Sequence, residues 1–204
     1  IESIGDPVTV TVTNDSTAPT VSSITTQKAD GSYTIGETVD ILIAYSEAVT
    51  VNTTSGSPTL KMETGTPDRD AVYVSGSGTD TLTFRYTVEA GDNTTDLDFH
   101  ASAPFSLNGA TIKDLENNNA DTSLVSAGAS GSIGQANAIV IDTILPTISA
   151  QTSTAGTTGI ALTVSEAVTG TPDASDFTVL VNGAANTVTA ASISGTSGTL
   201  TLTD

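Results

Sequence analysis

The chain has 204 residues, no Cys and no Trp, and it carries 23 Asp and Glu against five Lys and Arg, a formal charge of −18. Disulfide stabilisation is excluded, and nucleic acid or an anionic membrane is disfavoured as a partner, because binding phosphate needs clustered basic residues. Acidity of this degree keeps a chain soluble and attracts cations, either diffusely or at particular carboxylates.

Thr and Ser dominate, and apolar residues alternate with them. Val8-Thr-Val-Thr-Val-Thr13 puts Val on one face and Thr on the other. β-Branched side chains suit a pleated surface, and period-two alternation marks a strand with one buried face. No stretch holds apolar residues at i, i+3, i+4 and i+7 for long enough to make a core helix, nor does any apolar run reach the roughly 18–20 residues of a membrane helix. The fold class expected is all-β.

Residues 1–15 read as the last strand of a preceding module. Asp15-Ser-Thr-Ala-Pro19-Thr20 follows, and its Asp-x-x-x-Pro-Thr frame returns 127 residues later as Asp142-Thr-Ile-Leu-Pro146-Thr147. Ser46-Glu-Ala-Val-Thr50 likewise returns letter for letter as Ser165-Glu-Ala-Val-Thr169, 119 residues on. A repeat with a period near one domain length means an array of modules, and the proline-bearing hexapeptide reads as the joint between them. Residues 16–142 then form one complete module and 143–204 the beginning of the next, a window on a longer chain.

Within the complete module, strands are predicted near Val21–Gln27, Thr38–Tyr45, Pro58–Glu63, Ala71–Val74, Thr81–Val88, Leu97–Ala101 and Ala138–Ile141, with a short one at Ala110–Lys113. Turn signals separate them: Asp30-Gly31, Pro67-Asp68, Ser75-Gly-Ser-Gly78, Gly91-Asp-Asn93 and Asn108-Gly109. About seven short strands with such turns indicate a two-sheet antiparallel sandwich. The small-residue-rich segment 102–136 reads as a long connection anchored in the core by Leu107 and Ile112. In the following module the strands expected are near Thr147–Ala150, Gly159–Val164, Asp176–Val181, Thr187–Ile193 and Thr199–Thr203, with a hairpin at Asn182-Gly183.

Several landmarks, namely Thr17-Ala-Pro-Thr20, Ile35-Gly-Glu-Thr38, Tyr45-Ser-Glu-Ala-Val49, Tyr73-Val-Ser-Gly-Ser-Gly78, Phe84-Arg-Tyr-Thr-Val88 and Leu107-Asn-Gly-Ala-Thr-Ile-Lys-Asp114, together resemble a bacterial immunoglobulin-like repeat of giant surface proteins and adhesins. Residues 143–204, with Asp176-Phe-Thr-Val and Asn182-Gly183, are similar to a repeat of the large cyanobacterial cell-surface protein required for swimming. The resemblance implies tandem immunoglobulin-like sandwiches, an extracellular location, and calcium between modules; it implies no single activity. In place of the family's compact Asp-Ala-Ala-Gly-Asn turn this chain has Asp114-Leu-Glu-Asn-Asn-Asn119, where Asn must supply the left-handed residue.

Calcium takes six to eight oxygen ligands, and loops converging at a joint can collect them. With strands running up and down, Asp15, Glu47 and Asp114 fall at one end of the complete module, with Glu116 beside them. Asp92, Asp96, Asp98 and the exit residue Asp142 fall at the other, where Glu166 of the next module is the counterpart of Glu47. The plainer reading of Glu47 and Glu166 is a loop carboxylate or a turn-ordering hydrogen-bond acceptor. Asp68 and Asp70 flank Arg69 as a surface ion-pair cluster. His100, the lone histidine, reads as a half-buried strand residue. There is no Gly-x-Ser-x-Gly elbow and no thiol nucleophile, and aromatic residues to bind sugar beside Asp96 and Asp98 are scarce, so no enzyme is expected.

The function expected is a non-enzymatic spacer or stalk of a bacterial adhesin, its modules stiffened by calcium. The alternatives are a self-assembling subunit of a coat, sheath or fibre and, more weakly, a binding module of a secreted enzyme. The partners expected are neighbouring modules, copies of the chain itself, or a cell-surface or biofilm ligand engaged through other regions.

Overall fold

The computed structural model describes residues 14–153, 157–168 and 171–203. The predicted strand at Val8–Thr13 lies outside them. The chain divides into two compact units, with the boundary between Thr143 and Ile144. Regular structure among the described residues of both units is almost all β-strand, and no helix among them is long and apolar enough to cross a membrane.

The first unit contains β1 (Val21–Thr26), β2 (Gly31–Tyr33), β3 (Thr38–Asn52), β4 (Thr59–Glu63), β5 (Arg69–Ser75), β6 (Thr79–Thr87), β7 (Asn93–Thr94), β8 (Asp98–Phe99), β9 (Phe105–Ser106), β10 (Thr111–Lys113), a four-residue helix α1 (Ile133–Ala136) and β11 (Ile139–Asp142). One sheet has the order β1-β3-β6-β5-β4-β8, with β10 beside β3 and β9 beside β4; the other is β2-β11-β7. All pairs are antiparallel except β2 with β11, which run parallel.

Alternation explains the core. Val39, Ile41 and Ile43 of β3 lie opposite Tyr86, Phe84 and Leu82 of β6, and all six are fully buried. Leu60 and Met62 of β4, Ala71 of β5 and Ile24 of β1 extend that face, while Ile139 and Ile141 bring the second sheet into the same apolar cluster. Phe84 sits at its centre, edge-on to Tyr73 and Phe105 with ring centroids 5.9 and 5.4 Å away. Each fully buried Leu, Ile or Phe contributes roughly 1.5–3 kcal/mol of transfer free energy.

Three features depart from expectation. The second strand does not stop at Tyr45: β3 runs on through a register shift between Ala44 and Val49, and its far end pairs with β10. Glu47 therefore sits on a bulged strand and not in a loop. The short strands β2, β7 and β9 have too little apolar sequence to show a period. In the long connection Ile112 is buried, but Leu107 is 37% exposed. Ile133 is the second anchor; Ser132 caps α1 through its hydroxyl, which accepts from Gln135 N at 3.3 Å.

The turn between β5 and β6 depends on glycine. Gly76 has φ +109°, and a Cβ there would stand 2.1 Å from Thr81 O. Gly78 also has positive φ, but a Cβ on it would meet nothing within 4 Å. Gly76→Ala is expected to cost well over about 1 kcal/mol and Gly78→Ala about 1 kcal/mol. Urea unfolding of the two variants measures the difference; equal losses would mean that the close approach to Thr81 is not what selects glycine.

The second unit contains β12 (Ile148–Ser153), β13 (Gly159–Val168), β14 (Val179–Val181), β15 (Ala184–Asn186) and β16 (Val188–Leu202), in sheets β12-β13-β16 and β14-β15. Asn182 and Gly183 close the β14–β15 hairpin with φ +53° and +83°, the two positive values that a type I′ turn needs. Val188–Leu202 doubles back on itself about Gly195, which has φ +59°. Thr203 N donates to Thr187 O at 3.0 Å, so the ends of this segment lie side by side. Leu162, Val164 and Leu200 are buried, while Ile148 and Leu180 remain more than half exposed.

Candidate cation sites

The repeated pentapeptide makes the same local structure in both units. Ser46 Oγ accepts from Thr20 N at 3.1 Å and Ser46 N donates to Thr20 O at 2.8 Å. Ser165 Oγ accepts from Thr147 N at 2.9 Å and Ser165 N donates to Thr147 O at 2.8 Å. Ser22 and Ser149 hydroxyls donate to Ala44 O and Thr163 O, at 3.0 and 3.1 Å. The first strand of each unit shifts register after its first residue, and β13 shifts between Thr163 and Val168 as β3 does between Ala44 and Val49. The segment after each proline is thus stitched to a bulged strand by one hydroxyl and one peptide group, and each bulge carries a half-buried glutamate, Glu47 or Glu166.

Three other carboxylates lie within electrostatic reach of Glu47. Burial raises its carboxyl above the ordinary value of 4.5, and the charges of Asp15, Asp114 and Glu116 raise it further. Asp15 caps its own turn, Oδ1 accepting from Thr17 N at 2.8 Å, and this hydrogen bond lowers its pKa. Asp114 is 5% exposed; its two oxygens accept from Asn118 N and Nδ2, both at 2.7 Å. The same Nδ2 reaches Asp15 O at 3.2 Å, tying the segment before β1 to the turn after β10. Asn117, at φ +72°, is the left-handed residue of this turn. None of these four carboxylates has a Lys or Arg ion pair among the described residues, but they act on one another through charge alone, and no three of them come within the 4.8 Å that a shared ion would need.

The other end of the first unit is different. Asp92 does not fit a metal-ligand role. Its carboxylate is fully buried and turned inward: Oδ1 accepts from Arg69 Nε at 2.7 Å, and Oδ2 accepts from Tyr86 OH at 2.7 Å and Glu89 N at 2.8 Å. Burial, and the Asp92 carboxylate that Tyr86 donates to, push the Tyr86 phenol far above its usual range. Arg69 turns to Asp92 and Glu89 in place of its neighbours Asp68 and Asp70. Asp142 ends β11 opposite Asn93, and Thr143 fastens that exit by donating to Asp92 O at 2.8 Å. Asp96 and Asp98 both project toward Gly134, each with Oδ2 3.2 Å from the position of a Cβ there. Partial burial raises the Asp96 pKa, with a smaller contribution from Asp98. Asp98 is already occupied, accepting from Phe99 N and Gly128 N at 2.9 Å. Glu166, in the second unit, has one carboxylate oxygen shielded from solvent and without a hydrogen-bond partner.

A cluster that the sequence did not disclose lies on β4 and β8. One potential ligand atom from each of Glu63, Asp68 and His100 lies within 4.8 Å of the other two. Glu63 ends β4, His100 follows β8, and Asp68 sits on the turn from β4 to β5. The three are brought together by strand pairing, Met62 with Phe99 and Glu63 with Asp98. The only available sequence signal was a lone histidine in an acidic chain. No family model matches this chain, and no curated protein matches it.

Proposed function

We propose that this chain is a segment of an extended, non-enzymatic bacterial surface protein, built of tandem immunoglobulin-like sandwiches that act as spacers, with calcium bound where modules join. The observation that carries the reading is the repetition of one hydrogen-bonded, bulged, glutamate-bearing element in two separate units. An array of like modules makes length, and length holds a terminal binding region away from a cell. The immunoglobulin-like assignment is supported by the order β1-β3-β6-β5, which corresponds to the A-B-E-D sheet of that fold. It is supported also by β2, which joins the second sheet beside the closing strand β11, and by an apolar cluster common to both sheets. The proline of each joint restricts backbone rotation. A self-assembling subunit is the second reading, favoured by the exposed Ile148, Leu180 and Val181 of the second unit.

The Glu47 cluster supplies the test. A carboxyl whose folded pKa is raised binds protons more tightly when folded. Its contribution is therefore favourable below about pH 4.5 and is lost as pH rises through the folded value. At neutral pH the uncompensated charge opposes folding, and a cation relieves it. Calcium is expected to raise the melting temperature over that in chelator and to lengthen the particle in solution scattering. Glu47→Gln is expected to melt higher than the parent in chelator and to gain less from calcium. Identical melts with and without calcium would remove the ion from the proposal, and a concentration-dependent mass would move the assignment to the assembly reading.

A further inference from the structure

We propose that Glu63, Asp68 and His100 form a binding site for a first-row divalent transition metal such as Zn2+, distinct in place and chemistry from the oxygen-rich cluster around Glu47. Ligands about 2.0–2.2 Å from a tetrahedral zinc stand roughly 3.3–3.5 Å apart. His100 Nε2 and Asp68 Oδ2 are already 3.5 Å apart, and Glu63 lies within the same 4.8 Å circle. Water completes the coordination, as in zinc sites with three protein ligands.

Two further observations single this cluster out from an ordinary pair of surface charges. The first is the surroundings of the imidazole. His100 Nδ1 lies 3.0 Å from Ser102 O and 3.1 Å from Ser102 N. With the proton on Nε2, the ring donates to Asp68 and Nδ1 accepts from Ser102 N. With the proton on Nδ1, the ring donates to Ser102 O and Nε2 presents a lone pair to the two carboxylates. The second arrangement is the one found at metal-bound histidines, whose distal N–H is held by a carbonyl or carboxylate. Ser102 O gives the Nδ1–H tautomer an acceptor, but that tautomer takes from Ser102 N–H its own acceptor, so the metal–Nε2 bond must offset one lost hydrogen bond.

The second observation is Asp68. Its Oδ1 is shielded from solvent and has no hydrogen-bond donor, and among the described residues its only ion-pair partner is His100. A buried, unsatisfied carboxylate oxygen is costly, and a cation compensates it. Arg69, adjacent in sequence, is committed to Asp92 and Glu89. The turn is held in place: Thr64, fully buried, has its carbonyl accepting from Asn93 N at 2.8 Å. One imidazole nitrogen with two carboxylates suits zinc, nickel or cobalt, whereas calcium takes oxygen ligands alone.

The test uses the whole chain prepared without a polyhistidine tag, so that His100 is the only imidazole in the sample. Long-range 1H–15N correlation spectra of that ring, recorded with added Zn2+, are expected to show Nε2 shifted by coordination and the proton on Nδ1. The same concentration of Ca2+ is expected to leave the ring unchanged. In calorimetric titration with Zn2+, His100→Gln and Asp68→Asn are each expected to lower affinity by at least the roughly 10–100-fold that the loss of an outer-shell partner costs. An imidazole spectrum unmoved by Zn2+ would overturn the proposal, as would undiminished affinity in His100→Gln. The spectrum of the parent protein decides the matter even if a variant fails to fold.

Discussion

Asp92→Ala is expected to cost the first unit about 3–5 kcal/mol, the range for removing one partner of a buried ion pair. The carboxylate is fully buried and accepts three hydrogen bonds, from Arg69, Tyr86 and Glu89. Truncation strands the Tyr86 hydroxyl inside the core, and an unsatisfied buried group alone costs roughly 1–3 kcal/mol. The Arg69 side chain is 25% exposed and can rehydrate, which places the loss toward the lower end. Asp40 provides the internal control. Its bond to Arg85 Nε is as short, 2.6 Å, and is joined by a second to Nη2 at 2.8 Å, but both side chains are at least 40% exposed. Water screens such a pair, so Asp40→Ala should cost only a small fraction as much. Urea denaturation of the two variants compares them directly, and similar losses would show that Asp92 is not the hub described.

Ile133→Ala is the second large effect, at about 2–5 kcal/mol for an aliphatic core truncation. Ile133 is fully buried on a single helical turn and joins the apolar cluster shared by the two sheets. Leu107, more than one-third exposed, should lose only about 0.5 kcal/mol on the same change. Calorimetric melts of both variants test which residue anchors the long connection. A larger loss at Leu107 would reverse the assignment.

These two cases show where sequence reasoning succeeds and where it stops. The sequence placed strands at β3 and β6, and period-two alternation then marks one face of each as buried, because the orientation of a strand side chain depends on local backbone geometry alone. Turn chemistry placed the Asn182-Gly183 hairpin for the same reason. Ile133 escaped because a four-residue helix has no room for a period. Leu107 misled because an apolar side chain in a connection is buried only if the surrounding chain closes over it.

Among the acidic residues the division is sharper still. Strand order was enough to place Asp15, Asp114 and Glu116 within electrostatic reach of Glu47, whose carboxyl their charges raise. It placed Asp92 correctly along the chain but not in direction: a turn residue faces inward or outward according to what lies beneath it, here Arg69 and Tyr86. The Glu63, Asp68 and His100 cluster needed the pairing of β4 with β8, a contact between residues 37 positions apart. Local sequence thus determined strand identity, core faces and turn conformations, because those follow from short-range sterics and periodicity. Tertiary structure decided which carboxylates are buried hubs and which have no basic partner among the described residues, because burial and charge compensation depend on residues that only long-range strand pairing brings into contact.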